Sequence, residues 1–317
     1  MPGQRQPPGV AFAIRDPLPW NDLVGIVRAA ENAGYRALFL PEITGRDALV
    51  TLGALAGDTR ALLLGTGVLP MRSRTPLLAA MGAVTVDERS AGRLVLGLGP
   101  GSVGRGALDE LAGLIRTLRS LFAGGTIERR GRAVGLALLP SAEIPIWISA
   151  MGPKAMRLAG EIADGALLNW CSPERVAFAK AKVAEGAEAA GRDPSAIALG
   201  VYVRSWVGQD AGAAMTVLRS AAGEYASYPA YARQFEQLGL GTEAVAAAAA
   251  HRAGRAEDVP EVLVRAVSAV GDRAPARIAE FREAGADLVV VYPVPVGEPA
   301  ASIEATLLAL APRAGAS

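Results

Sequence analysis

Eight short apolar runs, threaded between longer segments of helical period, constrain this chain more than any other feature. They occupy residues 10–14, 37–40, 61–69, 94–98, 144–149, 166–170, 197–203 and 288–292. Their polarity does not alternate strictly, so they read as strands buried on both faces, as parallel strands are. The segments between them are amphipathic. Asn21-Asp22 begins the first, Leu23, Ile26, Val27 and Ala30 form its apolar stripe, and Asn32-Ala33-Gly34 ends it with glycine at a helix stop. Repeated strand–helix units imply a parallel sheet, and eight of them is the number that closes a (β/α)8 TIM barrel. An open doubly wound sheet is the rival, but no G-x-G-x-x-G follows the first run. The expected fold class is therefore α/β, a TIM barrel in one domain over residues 1–317.

Two stretches break the repeat. Residues 124–140 contain Thr126-Ile127-Glu128-Arg129-Arg130-Gly131, which reads as a small surface hairpin or an irregular loop. Residues 210–282 are far longer than one barrel helix and carry Tyr225, Tyr228, Tyr231 and Phe235. They form a mostly helical insertion between strands seven and eight (about 205–283), either as extra packing or as a lid over the C-terminal mouth.

Composition removes several function classes. The formal net charge is +1 with acids and bases interspersed, so no basic stripe marks a nucleic-acid partner. No apolar run is long enough to span a bilayer, and the alanine-rich 244–250 reads as intrinsic helix. One cysteine, Cys171, and one histidine, His251, leave neither a disulfide framework nor a zinc-type cluster, so no metal is expected. Cys171 reads as a small buried thiol and His251 as a solvated helix residue; Trp20, Trp147, Trp170 and Trp206 read as core packing. A reduced, cytoplasmic setting fits.

Residues 40–47 (LPEITGRD), 64–68 (LGTGV), 74–76 (RTP), 90–101 (SAGRLVLGLGPG), and 146–154 (IWISAMGPK) continuing into 158–165 (LAGEIADG) resemble the luciferase-like monooxygenase superfamily. Their order and spacing are most similar to its coenzyme F420-dependent branch, the methylenetetrahydromethanopterin reductase relatives. The resemblance runs over most of the chain and fades over about 205–280. It implies a bulge with a non-prolyl cis peptide around Gly67-Val68, packed on a cofactor ring, and a cofactor phosphate held by the loop at 151–154.

The residues fit these roles on their own chemistry. Gly65 and Gly67, flanking Thr66 and followed by Val68, suggest a bulge or close backbone approach. Gly99, Pro100, Gly101 and Ser102 end the fourth run and let a flat ring approach, or simply turn the chain. Relatives in the reductase branch often carry an acid near Ser102, and serine departs from that pattern. Met151, Gly152, Pro153 and Lys154 open a helix whose free N–H groups suit a phosphate, with Lys154 adding a charge or only lining the surface. Glu42, where many relatives carry histidine, is the candidate catalytic group: a proton donor with a raised pKa, or a structural partner of Arg15, Arg46 or Arg72. Asp47 suits the cap of the following helix, and Arg15 and Asp16 end strand one facing the mouth.

The resemblance thus implies an F420-dependent oxidoreductase, an F420H2-dependent reductase in the first instance, that passes hydride to a small organic substrate. The alternative within the superfamily is a two-component monooxygenase using FMNH2 and oxygen. A barrel that binds a ligand without turnover is the third reading. A Schiff-base lyase barrel is disfavoured because the only lysines, Lys154, Lys180 and Lys182, fall outside every strand. Relatives are often dimers, and the apolar helices permit a homodimer.

Overall fold

The computed structural model describes residues 9–15, 18–101, 104 and 106–312. The expected Asp16 and Ser102 positions lie outside them. Eight parallel strands form the barrel: β1 Gly9–Ala13, β2 Ala37–Leu40, β3 Leu63–Thr66, β4 Leu94–Gly99, β5 Ile146–Ser149, β6 Gly165–Asn169, β7 Ala198–Trp206 and β8 Leu288–Pro293. Each pairs with its sequence neighbour, and β8 pairs back to β1 in the register Gly9↔Leu288, so the ring closes. The open-sheet alternative is thereby excluded. Helices α1 Trp20–Asn32, α2 Ala48–Leu55, α3 Pro76–Ser90, α4 Ala107–Phe122, α5 Pro153–Ile162, α6 Pro173–Ala189, α11 Ala274–Glu283 and α12 Pro299–Ala309 surround it. The stripe Leu23, Ile26, Val27 and Ala30 of α1 is buried, as the helical period requires, and Gly34 takes a φ of +91° after its end.

Registers fix which side chains point inward. Ala13 pairs with Phe39, Phe39 with Gly65, Gly65 with Val95, Gly97 with Trp147, Trp147 with Gly165, and Gly200 with Leu288. These residues and their i±2 neighbours line the interior. The interior is therefore a layer of large rings, Phe39, Trp147 and Tyr202, set against glycines. A Cβ at Gly65 would overlap the Phe39 ring, one at Gly67 the Tyr202 hydroxyl, and one at Gly165 the Trp147 indole. Small residues opposite large ones let these rings pack inside the barrel.

The run at 61–69 is split rather than continuous. After Thr66 the chain departs from β4, the Gly67–Val68 peptide is cis, and Leu69–Pro70 pairs again with the end of β4. Where the backbone ladder is interrupted, Thr66 replaces it. Its hydroxyl donates to Gly97 O (2.7 Å) and accepts from Gly97 N–H (2.8 Å).

Residues 126–135 form a hairpin, Thr126–Arg129 with Arg132–Gly135, turning through Arg130 and Gly131, both at positive φ. The segment after β7 holds α7 Ala211–Ala226, α8 Pro229–Gln237, α9 Gly241–Arg252 and α10 Glu261–Ala266. It also holds a short strand, Ser268–Val270, which the helical reading did not anticipate. That strand pairs with Arg204, Ser205 and Trp206, so β7 extends beyond the expected end at residue 203. A second apolar core, built on Trp170, Trp206, Leu218, Phe235 and Leu263, ties this segment to the barrel. Ala244–Ala250 lies within α9, and His251 is exposed. No helix among the described residues is long and apolar enough to cross a membrane.

Glu31, at the end of α1, accepts the backbone N–H groups of Arg60, Ala61 and Leu62 at 2.8–2.9 Å and so pins the entry to β3. Burial pushes its carboxyl up, but these amides and Arg93 outweigh burial and hold it below the ordinary range. A depressed pKa contributes stability above the unfolded value, about 4.3, that is lost as pH falls through the folded value. Glu31→Gln should therefore cost about 1 kcal/mol at neutral pH, kept small by partial solvation. Urea denaturation should show the gap narrowing below about pH 4; a gap independent of pH would contradict this assignment.

Candidate active site

Alternation along the strands selects which side chains reach the C-terminal mouth: Gly67 and the adjoining Val68 after β3, Gly99 on β4, Ser149 on β5, Asn169 on β6, Arg204 on β7 and Tyr292 on β8. In barrel enzymes this is the end that carries chemistry.

One side of the mouth is the rim from β3 to β5. Gly67 and Val68 are half-buried there, and Gly67 O accepts the Tyr202 hydroxyl at 3.1 Å. A Cβ on Gly99 would meet Val68 Cγ2 at 2.5 Å and Ser149 Oγ at 2.9 Å, so glycine keeps this part of the rim low. Pro100 is half-buried; Gly101 is exposed at φ +68°. Two of the expected cofactor contacts, Gly65 and Thr66, face the barrel interior. Gly65 is buried under Phe39, and Thr66 is fully buried with its hydroxyl committed to Gly97. The space over Gly67 on the barrel axis is likewise taken by Tyr202, so that glycine serves interior packing as well as the rim.

Beside the rim stands the start of α5. Its N-cap, Gly152, offers no side-chain cap, Pro153 takes the first helical position, and a Cβ on Gly152 would meet nothing within 4 Å. The end of the helix is thus open to an anionic group. Lys154 is exposed, and Met151 O accepts Arg175 Nη2 at 2.9 Å, which fixes the loop from below.

Glu42 follows β2, its N–H donating to Val68 O at 3.4 Å. Its side chain is not free. Arg74 Nη1 donates to Oε1, Ser73 Oγ donates to Oε1 at 3.2 Å, and Ala48 N–H donates to Oε2 at 3.2 Å. The ion-pair partner is Arg74, not Arg15, Arg46 or Arg72, and the pair is nearly enclosed, 11% and 13% exposed. Arg74 also bridges to Asp47, which caps α2 by accepting Val50 N–H at 3.0 Å. The hydrogen bond and charge of Glu42 hold Arg74 more firmly protonated. Next to this cluster a cleft of about 420 Å³ opens between Ile14, Arg15, Leu40, Pro41, Thr44 and Arg46.

The opposite side of the mouth was missed in the sequence. Arg204 is buried, its Nη1 donating to Asn169 Oδ1, with its guanidinium carbon 4.4 Å from the Trp170 ring centroid, 4.4 Å from Tyr292 and 5.4 Å from Tyr225. Asn169 Nδ2 donates to the Tyr231 hydroxyl at 2.8 Å, and Gln234 Nε2 donates to the carbonyls of Asn169 and Trp170 at 2.8 and 2.6 Å. Helices α7 and α8 are thereby fastened over β6 and β7, and Arg15 of the β1 end is close enough to act electrostatically on Tyr228. The available signal was the alternation Gly200, Tyr202, Arg204, Trp206, in which a cation shares the inward face with two rings. Burial raises the Tyr202, Tyr231 and Cys171 groups, the thiol to about 12, so Cys171 is no nucleophile. Among the described residues no group of His, Cys, Asp and Glu could hold a metal ion.

Comparisons with known proteins agree with this architecture. The luciferase-like monooxygenase family model matches residues 3–288. A 5,10-methylenetetrahydromethanopterin reductase of Methanolobus tindarius is 30% identical over 220 residues, 64% of this chain and 66% of that protein. An F420-dependent hydroxymycolic acid dehydrogenase of Mycobacterium tuberculosis is 32% identical over 222 residues, 61% of each. The chain thus matches less than two thirds of the length of these curated relatives. The solved coenzyme F420-dependent tetrahydromethanopterin reductase of Methanopyrus kandleri superposes with a TM-score of 0.77 at 23% identity, covering 96% of this chain and 98% of that one, which establishes the shared fold.

Proposed function

The chain belongs to the luciferase-like monooxygenase family, and from that premise we propose that it is a coenzyme F420-dependent oxidoreductase acting on a small organic substrate. The relatives named for F420 chemistry support the cofactor. The observation that carries the reading is local: a low rim at Gly67, Val68 and Gly99 stands beside the uncapped start of α5. The rim and Pro100 would hold a flat ring, while the first-turn amides of α5 after Met151-Gly152-Pro153, with Lys154, would take its phosphate. When bound, a deazaflavin supplies a two-electron hydride carrier. The direction we favour is reduction of the organic substrate.

The chain's own residues do the positioning. The hydrogen bonds on both oxygens of Glu42 favour an anchoring role over proton donation: it holds Arg74, Ser73 and the start of α2 against the Val68 end of the rim. Tyr202 supports the Gly67 carbonyl from inside the barrel. Residues 210–282 act as a lid that excludes water, consistent with the contacts of α8 to Asn169 and Trp170.

Titration of the purified chain with F420 and with FMN, followed by fluorescence quenching, tests the reading. Low-micromolar binding of F420 alone is expected. Binding of FMN alone would move the chain to the two-component monooxygenases, and binding of neither would remove both.

A further inference from the structure

We propose that Arg204, at the junction of β7 with the helical insertion, is an anion subsite that takes the carboxylate of the substrate; the proposal rests on the oxidoreductase reading above and deepens it.

Arg204 is 5% exposed, yet no carboxylate among the described residues lies within ion-pair distance of it. Arg74, less buried, has both Glu42 and Asp47; Arg119 has Glu143 and Asp164. The one protein acceptor given to Arg204 is a neutral amide oxygen, that of Asn169 on Nη1. Its other donors have no partner among the described residues. A charge withdrawn from water without a counter-charge is unfavourable, and buried charges in folded proteins are normally paired.

The surroundings repeat the imbalance. The Trp170 ring packs against the guanidinium, and its indole N–H is buried without any acceptor. The Arg204 Nε and Nη2 donors are thus the ones left for an acceptor-bearing ligand. Trp170, Tyr225 and Tyr292 supply cation–π contacts and apolar walls. With Nη1 bonded to Asn169, Nε and Nη2 form a fork that matches a carboxylate in two parallel bonds.

Position decides which anion. Tyr202, two residues earlier on the same inward face, touches Gly67 O. Arg204 therefore stands one layer outward from the rim assigned to the ring, across the mouth from it. The start of α5, following β5, is a separate place for a phosphate. A substrate lying between ring and insertion would present its reducible carbon to the rim and its carboxylate to Arg204.

The test uses the full chain, with and without F420. The probes are three acid–amide pairs of different size: pyruvate and pyruvamide, fumarate and fumaramide, cinnamate and cinnamamide. Calorimetry should find at least one acid bound about 10-fold more tightly than its amide. Arg204→Met should abolish that preference, and Arg204→Lys should restore part of it, since the charge returns without the planar fork. The F420 dissociation constant should stay within about 2-fold in both variants. Thermal unfolding of Arg204→Met at or above that of the parent chain would show that the guanidinium is not there for stability. No acid preference in the parent chain, or a preference unchanged in Arg204→Met, would overturn the proposal. So would a fall in F420 affinity of about 10-fold or more with acid binding intact, which would assign Arg204 to the cofactor's own anionic group. If the parent chain binds acids but not F420, the cofactor reading fails while the anion subsite stands.

Discussion

Thr66→Val is expected to lower stability by about 3 kcal/mol and the midpoint of thermal unfolding by roughly 4–5 °C. Valine has almost the same shape, so the change isolates the hydroxyl. That hydroxyl is fully buried and serves both the N–H and the C=O of Gly97, at the point where β3 and β4 have no backbone ladder between them. Without it two buried backbone groups lose their partners, each worth about 1–3 kcal/mol. Thr66→Ser keeps the hydroxyl, loses one methyl, and should cost only about 1 kcal/mol. Because the gap lies directly beneath Gly67–Val68, Thr66→Val should also weaken F420 binding more than Thr66→Ser does. Equal stability of the two variants, by scanning calorimetry, would show that the hydroxyl does not close the barrel.

Gly186→Ala should be at least as damaging, about 3 kcal/mol or more. Helices α5 and α6 cross so closely that a Cβ on Gly186 would overlap the Arg157 carbonyl oxygen and meet Arg157 Cα at 2.8 Å. The contact is reciprocal: a Cβ on Gly160 would overlap the Val183 carbonyl oxygen and meet Ala187 N at 2.6 Å. Backbone atoms cannot swing aside, so the helices must separate. As α5 moves, so do Gly152 and Lys154 at its start, and affinity for a phosphate-bearing cofactor should fall with stability. Gly25→Ala is the control. It lies in α1 with nothing within 4 Å of its added Cβ, and alanine there should stabilise by about 0.5–1 kcal/mol. Equal effects of Gly186→Ala and Gly25→Ala in urea denaturation would refute the packing argument.

Both predictions concern glycine or threonine positions visible in the sequence, but only one of their meanings was readable there. The LGTGV stretch was marked as a backbone irregularity, and the cis peptide falls at Gly67–Val68. That Gly65 and Gly67 make room for Phe39 and Tyr202 was hidden, because strand register decides what faces a glycine. The sequence points to Glu42 but not to its partner, because Arg74 lies 32 residues away. Apolarity alone ends the seventh run at residue 203 and leaves Arg204 outside it, whereas pairing with Ser268–Val270 carries the strand to Trp206.

The sequence by itself determined the elements and their order: eight buried strands, the helix stops, the Asp47 cap, a break in the repeat at 124–140 and the helical insertion. These follow from local periodicity, from the φ that glycine permits and from short-range capping, all of which are written within a few residues. Only the tertiary structure decided what meets at the mouth. Closure of the ring sets the inward register, and that register brings Arg204, Asn169 and Tyr292 into one place and gives Glu42 to Arg74. Such pairings join residues far apart in the chain, and no local pattern encodes the partner of a side chain that closure alone brings near.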